Sequence, residues 1–408
     1  MDANDHPQSR TRVLSGMRPT GLMHLGHFHG ALKNWVRLQD EHECFYFVAD
    51  WHALTSHYDD PRVISRSTID MVTDWLAAGL DPDRSTLFLQ SRVPEHAELT
   101  VLLGMITPLA WLERVPTYKE QQENLKDKDL ATYGFLGYPL MQSADILIYR
   151  PRHVPVGEDQ AAHVEITREI ARRFNHIYGR APDFDKLVGA VLAALPPGVA
   201  RRYEAARVAW NERGDAEQLA AARASISAST ALSSSDRELL EGWLTGARKA
   251  ILPEPAVLLT PTSRLGGLDG RKMSKSYGNA IDLREPPASV EKKVRGMKTD
   301  PKRARRSDPG NPDDCPVWTL HQVYSGEERK MWVRDGCTRA AIGCLECKQP
   351  IVEAINAELA PMQQRIAEIA AKPGFVREVL ADGCARARRV AQATMRDVRE
   401  AMGLAALD

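Results

Sequence analysis

The chain has 408 residues, 43% of them hydrophobic, which is ample for ordinary cores in more than one domain and excludes a disordered polymer. Its 54 basic and 54 acidic residues cancel, so overall charge announces no polyanionic partner. No stretch approaches the roughly 18 uncharged apolar residues of a membrane span, and the opening MDANDHPQSR has no apolar signal core, so the expected location is cytoplasmic with no membrane partner.

Short apolar, β-branched or aromatic runs predict strands at RVLSGM near residue 12, CFYFVAD from 44, STLFLQS from 85 and HVPVGEDQ from 153. Segments of helical spacing lie between them, such as VISRSTIDMVTDWLAAGL from 63 to 80, which ends at Gly79 and Asp81-Pro82. This alternation predicts an α/β fold with a Rossmann-type parallel sheet over residues 1–181. Residues 182–252 are alanine-rich and broken at Pro196-Pro197 and Ser233 to Ser235, as expected of a helical insertion. The sheet domain resumes over 253–290. Residues 291–408 then read as an all-α C-terminal domain of amphipathic helices interrupted by Pro361, Pro373 and Gly383. Its start is basic, with Lys292, Lys293, Arg295, Lys298, Lys302, Arg303, Arg305 and Arg306 against the single acid Asp300. Such a run is either a solvated loop or a contact for phosphates.

Two segments carry chemistry. In RPTGLMHLGHFHGALKNWV, His24 and His27 stand three apart at a helix start, and Gly26 between them removes the side chain that would block a base or a phosphate. In GLDGRKMSKSYGNAI, Lys272 and Lys275 sit among Gly270, Ser274, Ser276 and Gly278, in a loop able to close and neutralise a triphosphate.

Together HLGH and KMSKS resemble the "HIGH" and "KMSKS" signature pair of class I aminoacyl-tRNA synthetases, with Leu25 in place of isoleucine. YPLMQSADILIYRPRHVPVGEDQAAHVEITREIARRFN, 138 to 175, with SGMRPTG and FVADWHALTSHYDD, is similar to the tryptophanyl-tRNA synthetases. The likeness covers residues 11–180 and 253–300. It implies a homodimer that joins L-tryptophan to ATP with Mg²⁺, releases pyrophosphate and esterifies tRNA(Trp). By position it implies catalytic roles for His24, His27, Lys272 and Lys275. ATP would meet Thr20, Gly26, His27, Lys119, Gly157, Asp159, Lys272, Met273, Ser274 and Lys275. Tryptophan would meet Arg18, His52, Tyr138, Gln142, Asp145 and Gln160. Arg18 stands where many members have glutamine, and the flanks of Lys119 differ from theirs. Asp145, read as the head of the apolar helix ILIY, would accept the indole N–H. Phenylalanine would then strand that carboxylate at about 1–3 kcal/mol. A tyrosine hydroxyl also donates, so a tyrosyl enzyme is the nearest alternative, but Glu158 replaces the second glycine usual there. A synthetase-like binding protein is a further alternative, as is a nucleotidyltransferase of the HxGH type, which would give no reason for the YPLMQSAD segment.

Six cysteines are too few and too scattered for a secreted disulfide framework, and Cys44 and Cys384 stand apart. Cys315, Cys337, Cys344 and Cys347 read C-x21-C-x6-C-x2-C, suited to tetrahedral zinc or a [4Fe–4S] cluster. Three close ligands with a distant fourth favour iron–sulfur, and a subset of tryptophanyl-tRNA synthetases has nearly this spacing. The expected role is structural, beside a tRNA-binding region that includes Arg386, Arg388, Arg389, Arg396 and Arg399. The catalytic half is expected to stand apart from it, so that Cys344→Ser weakens tRNA charging more than tryptophan activation.

Overall fold

A computed structural model describes residues 10–115, 132–157, 161–179, 184–245, 250–259 and 265–404. The chain divides into two compact units: Met1–Arg92, Pro155–Asp159 and Leu258–Arg386 form the first, and Val93–Val154, Gln160–Val257 and Ala387–Asp408 the second.

The chain opens with β1 (Arg12–Met17), a short α1 (Leu25–His27), a π turn (Phe28–Leu32) and α2 (Lys33–Leu38). Next come β2 (Glu43–Val48), α3 (Asp50–His57), α4 (Arg62–Ala78) and β3 (Ser85–Leu89). β1 pairs in parallel with β2, and β2 with β3. Every residue of β2 after Glu43 is buried, the continuous apolar strand that a covered parallel sheet requires. Trp35 stacks on Tyr46 at 4.5 Å and meets Trp75 edge-on at 5.3 Å, so α2 and α4 are fixed to β2 by fully buried aromatic rings. α4 ends where its sequence signals, at Gly79 with φ 114°.

The second unit contains α5 (Glu95–Gly104), α6 (Leu109–Glu113), α7 (Tyr133–Leu136) and α8 (Tyr138–Leu147). Asp145 lies in the last turn of α8. The expectation that it heads an apolar helix fails because Tyr138 and Pro139 start the helix two turns earlier. β4 (His153–Val156) and α9 (Ala161–Tyr178) follow. The alanine-rich stretch forms α10 (Phe184–Ala194), α11 (Pro197–Arg213), α12 (Ala216–Ala228) and α13 (Ser234–Leu244) around a core that includes Phe184, Tyr203, Ile226 and Trp243. Its breaks are caps: Pro197 opens α11, and Ser233 exchanges hydrogen bonds with Asp236 at the start of α13. β5 (Ala256–Leu259) completes the sheet, whose order is β3-β2-β1-β4-β5.

Five helices close the described chain: α14 (Pro287–Arg295), α15 (Pro316–Tyr324), α16 (Glu327–Thr338), α17 (Cys344–Ala370) and α18 (Phe375–Ala401). Pro361 does not interrupt: α17 runs through it, and buried Ile355, Leu359 and Met362 on either side hold it in the core of the first unit. Gly383 is no stop either. It lies inside α18 because a methyl group there would overlap the carbonyl oxygen of Leu87 in β3. A backbone neighbour cannot rotate away. Gly383→Ala is therefore expected to lower unfolding free energy by about 2 kcal/mol or more, read as a shift in the urea midpoint at unchanged slope. A loss below about 0.5 kcal/mol, the usual range of surface changes, would refute the close seat.

The basic run is largely engaged within the chain. Lys293 donates to Glu285 at 2.6 Å, Lys302 to Asp314 at 2.9 Å, and buried Arg303 to the carbonyls of Arg306 and Ile342 at 2.9 and 2.6 Å. Arg386 donates to Pro82 O at 2.6 Å, Arg388 to Glu95 at 2.9 Å and Arg399 to Glu98 at 2.7 Å. These six cations have structural partners, which weakens their expected role as tRNA contacts. Among the described residues, no helix is long and apolar enough to cross a membrane.

Candidate active site

β1 delivers the chain to a turn in which Thr20 N–H donates to Arg18 O at 2.9 Å and Gly21 takes φ 109°. His24 follows, buried at 4% exposure, as the residue before α1. Its ring stacks on that of His27 with centroids 3.7 Å apart. The backbone N–H of His24 donates to His27 Nδ1 at 3.3 Å, which leaves that nitrogen unprotonated and puts the His27 proton on Nε2. Among the described residues, His24 Nδ1 is a buried polar atom with no hydrogen-bond partner. A Cβ on Gly26 would stand 2.9 Å from that atom and 3.2 Å from Met273 Cβ, so only glycine keeps the space open.

Backbone bonds clasp this segment to the stretch that follows KMSKS: Leu25 N–H reaches Ile281 O at 3.0 Å, and Leu283 N–H reaches Met23 O at 2.9 Å. Buried Asn279 then shapes the lysine loop. Its carbonyl accepts from Ser274 N–H at 2.8 Å, and its amide donates to Asp269 at 2.7 Å and to Lys272 O at 3.2 Å. Lys275 arches back until its ammonium is 3.1 Å from where a Cβ on Gly21 would be. On the far side, Arg284 binds Asp74 at 2.8 Å and Asp70 at 2.7 Å.

The charges confirm the convergence. His27 is lowered to about 3, first by burial and then by His24, Lys275 and Lys272; His24 is lowered to about 4 by burial and Lys275. Lys275 is itself lowered by lost hydration, which the carboxylates Asp282 and Asp74 only partly oppose. Burial raises Asp74 to about 6 against the pull of Arg284. Two neutral imidazoles thus stand within electrostatic reach of the Lys275 and Lys272 ammonium groups, an arrangement suited to a polyphosphate.

The first unit also holds Arg18, Thr20, Gly157 and the buried His52. Tyr138, Gln142 and Asp145 lie on α8 in the second. Asp145 is fully buried with Oδ1 2.6 Å from His96 Nδ1, and His96 Nε2 is 2.7 Å from the Tyr149 hydroxyl. Tyr138 meets His163 edge-on at 5.8 Å. Among the described residues, Gln142 Oε1 is buried with no hydrogen-bond partner. Lys119, Asp159 and Gln160 lie outside the described residues.

Cys315, Cys337, Cys344 and Cys347 are partly buried; burial, then the other three thiols, push Cys347 up to about 12, and burial raises Cys337. Arg303 stands 3.7 Å from Cys337 Sγ and His321 3.3 Å from Cys347 Sγ. Four thiols with basic neighbours match the chemistry of a thiolate-held metal. Among the described residues, however, no group of three or more His, Cys, Asp or Glu side chains is arranged to hold a metal ion. The expected separation from the catalytic half is not found. All four cysteines belong to the same compact unit as His24, His27, Lys272 and Lys275.

The family model for class I tRNA synthetases (W and Y) matches residues 6–195 and 237–360, and the chain belongs to that family. Within it, the chain is grouped with the tryptophan–tRNA ligases. It is 62% identical over 393 residues to the tryptophan–tRNA ligase of Ralstonia nicotianae, covering 96% of this chain and 98% of that one. With the corresponding ligase of Thermotoga maritima it shares 44% over 395 residues, or 96% and 99% of the two chains. Tryptophanyl-tRNA synthetase from Campylobacter jejuni, solved with ADP and tryptophan, matches with TM-score 0.69 at 27% identity over 96% of this chain and 100% of that one.

Proposed function

We propose that this tryptophan–tRNA ligase forms tryptophanyl-adenylate by in-line attack of the L-tryptophan carboxylate on the α-phosphorus of ATP, and then transfers tryptophan to tRNA(Trp). The convergence of His24 and His27 with Lys272 and Lys275 carries this reading. No side chain is needed as a covalent nucleophile, so catalysis is positioning and charge stabilisation. His27 Nε2–H and His24 meet the phosphates as neutral donors. Lys272 and Lys275 receive the charge that grows on the departing pyrophosphate. Mg²⁺ brought in with ATP would neutralise charge on the phosphate oxygens. Thr20, Gly26, Gly157, Met273 and Ser274 line the nucleotide, together with Lys119 and Asp159. Arg18, His52, Tyr138, Gln142, Asp145 and Gln160 receive tryptophan. ATP–pyrophosphate exchange should require tryptophan; a comparable rate with tyrosine, or none with either amino acid, would overturn the reading.

Three finer features belong to the same proposal. Homodimerisation is supported by exposed apolar side chains, with Met105, just after α5, 72% and Tyr133, in α7, 82% exposed. A cytoplasmic location is supported by six free cysteines. A [4Fe–4S] cluster on Cys315, Cys337, Cys344 and Cys347 is supported by the thiol count, their spacing and Arg303 beside Cys337; zinc is the alternative. Anaerobically purified protein should absorb broadly at about 400 nm and carry about four irons per chain. Colourless protein with one zinc would overturn the cluster.

A further inference from the structure

Helix α15 is only nine residues long, yet it reaches both signature segments. At its last residue, the Tyr324 hydroxyl donates to Glu358 at 2.8 Å. His29 Nε2 lies 2.8 Å from the same carboxylate oxygen and 2.9 Å from the hydroxyl. His29 is 9% exposed and sits in the π turn directly after His27. A π turn carries one residue more than an α turn, is rare, and clusters at functional sites. Here a partly buried three-way knot holds it, and the knot's phenol comes from α15.

The other contact is with the lysine hairpin. Gly266 pairs through the backbone with Lys272. A methyl group on Gly266 would overlap Thr319 Oγ1, and that hydroxyl is itself fixed by donating to Pro316 O at 2.8 Å. At the hairpin tip Gly270 takes φ 85°, and a Cβ there would stand 3.1 Å from the Pro316 ring. The base and the tip of the hairpin therefore both rest on the first turn of α15, whose N-cap is Cys315.

We propose that α15 is a positioning strut for amino-acid activation, with Thr319 and Tyr324 as positioning residues that hold the lysine hairpin and the histidine turn in one register. The proposal rests on the assignment of His24, His27, Lys272 and Lys275 to the phosphates. Neither Thr319 nor Tyr324 touches a reacting atom. Each fixes the backbone from which a reacting side chain projects, and misplacement by about 1 Å lowers rate far more than affinity. The effect should therefore appear in kcat per folded active site and not in the KM for tryptophan.

The test uses Gly266→Ala, Thr319→Ala, their double variant, and Tyr324→Phe in the full chain, with active sites counted by the burst of adenylate. Gly266→Ala should lower kcat for pyrophosphate exchange about tenfold with KM for tryptophan within about twofold, and Thr319→Ala alone should lower kcat by a smaller factor, about twofold, with KM for tryptophan unchanged. Thr319→Ala should restore most of the Gly266→Ala loss by removing the overlapping hydroxyl. Tyr324→Phe should lower kcat about fivefold, and Glu358→Gln, which still accepts from both partners, should lower it less. Additive effects of Gly266→Ala and Thr319→Ala, or losses confined to the number of folded sites, would overturn the strut. If Gly266→Ala does not fold, an unchanged kcat in Tyr324→Phe suffices to overturn it. Lys275→Ala serves as the control: an unchanged rate there would sink the phosphate assignment and the strut with it, whereas impaired Lys275→Ala beside a normal Tyr324→Phe would sink the strut alone.

Discussion

Lys275→Ala is expected to lower tryptophan-dependent ATP–pyrophosphate exchange by about 10²–10³-fold, the usual loss when one preorganised charge stabiliser is removed from a transition state. Tryptophan binding, measured by calorimetry without ATP, should stay within about twofold of wild type. The size follows from the surroundings. The ammonium has already given up hydration, and Asp282 and Asp74 only partly offset that loss. A cation held in this condition gains most when phosphate charge arrives, and alanine also leaves the two carboxylates facing the incoming anion. Lys275→Arg should recover little. The larger guanidinium would have to occupy the gap above Gly21, where the ammonium is already within 3.1 Å of a Cβ position. A loss below tenfold in Lys275→Ala would remove this lysine from the reaction.

What was legible in the sequence is what local pattern records. β1 to β3 follow apolar runs, α4 ends on its glycine, and the histidine and lysine pairs stand out because three-residue spacing and small neighbours are local properties. The groups that hold them in place were not legible. His29 meets Glu358 across 329 residues, and His96 meets Asp145 across 49, distances over which no periodicity carries information. Asn279 lies inside the quoted loop, but its amide looks like any turn residue until the chain folds around it. Gly383 and Pro361 misled in the opposite sense. Both are breakers by propensity, and tertiary packing overrides propensity in a buried helix.

The basic residues and the cysteines show the same limit. A run of like charges reads as a polyanion surface, yet Lys293, Lys302 and Arg303 each have a partner within the chain. Cysteine spacing suggests ligand chemistry but says nothing of what the ligands adjoin. Cys315 is the N-cap residue of α15, so the thiol set adjoins the helix on which the lysine hairpin rests, and the expectation that activation is spared loses part of its physical ground.

Asp145→Ala is expected to lower kcat/KM for tryptophan by about 10²-fold or more, because a site built to pair a substrate N–H discriminates through the polar group it would otherwise strand. Asp145 is fully buried, with Oδ1 2.6 Å from His96 Nδ1, and His96 Nε2 is 2.7 Å from the Tyr149 hydroxyl. Every donor in that chain is satisfied when Tyr149 O–H donates to Nε2 and Nδ1–H donates to Asp145. A carboxylate has about four acceptor sites on its two oxygens, so the bond from His96 does not by itself preclude one from an indole N–H. Alanine removes both bonds at once. The stranded His96 should therefore also lower the protein's own stability, by about 1–3 kcal/mol. Selectivity is the sharper readout. Wild-type enzyme should prefer tryptophan over the isosteric analogue with sulfur in place of the indole N–H, and Asp145→Ala should bring that ratio close to one by losing activity with tryptophan alone. Tyr149→Phe leaves the carboxylate in place and should shift the ratio only in part. A ratio unchanged in Asp145→Ala would mean that this carboxylate serves the fold through His96 and does not read the indole.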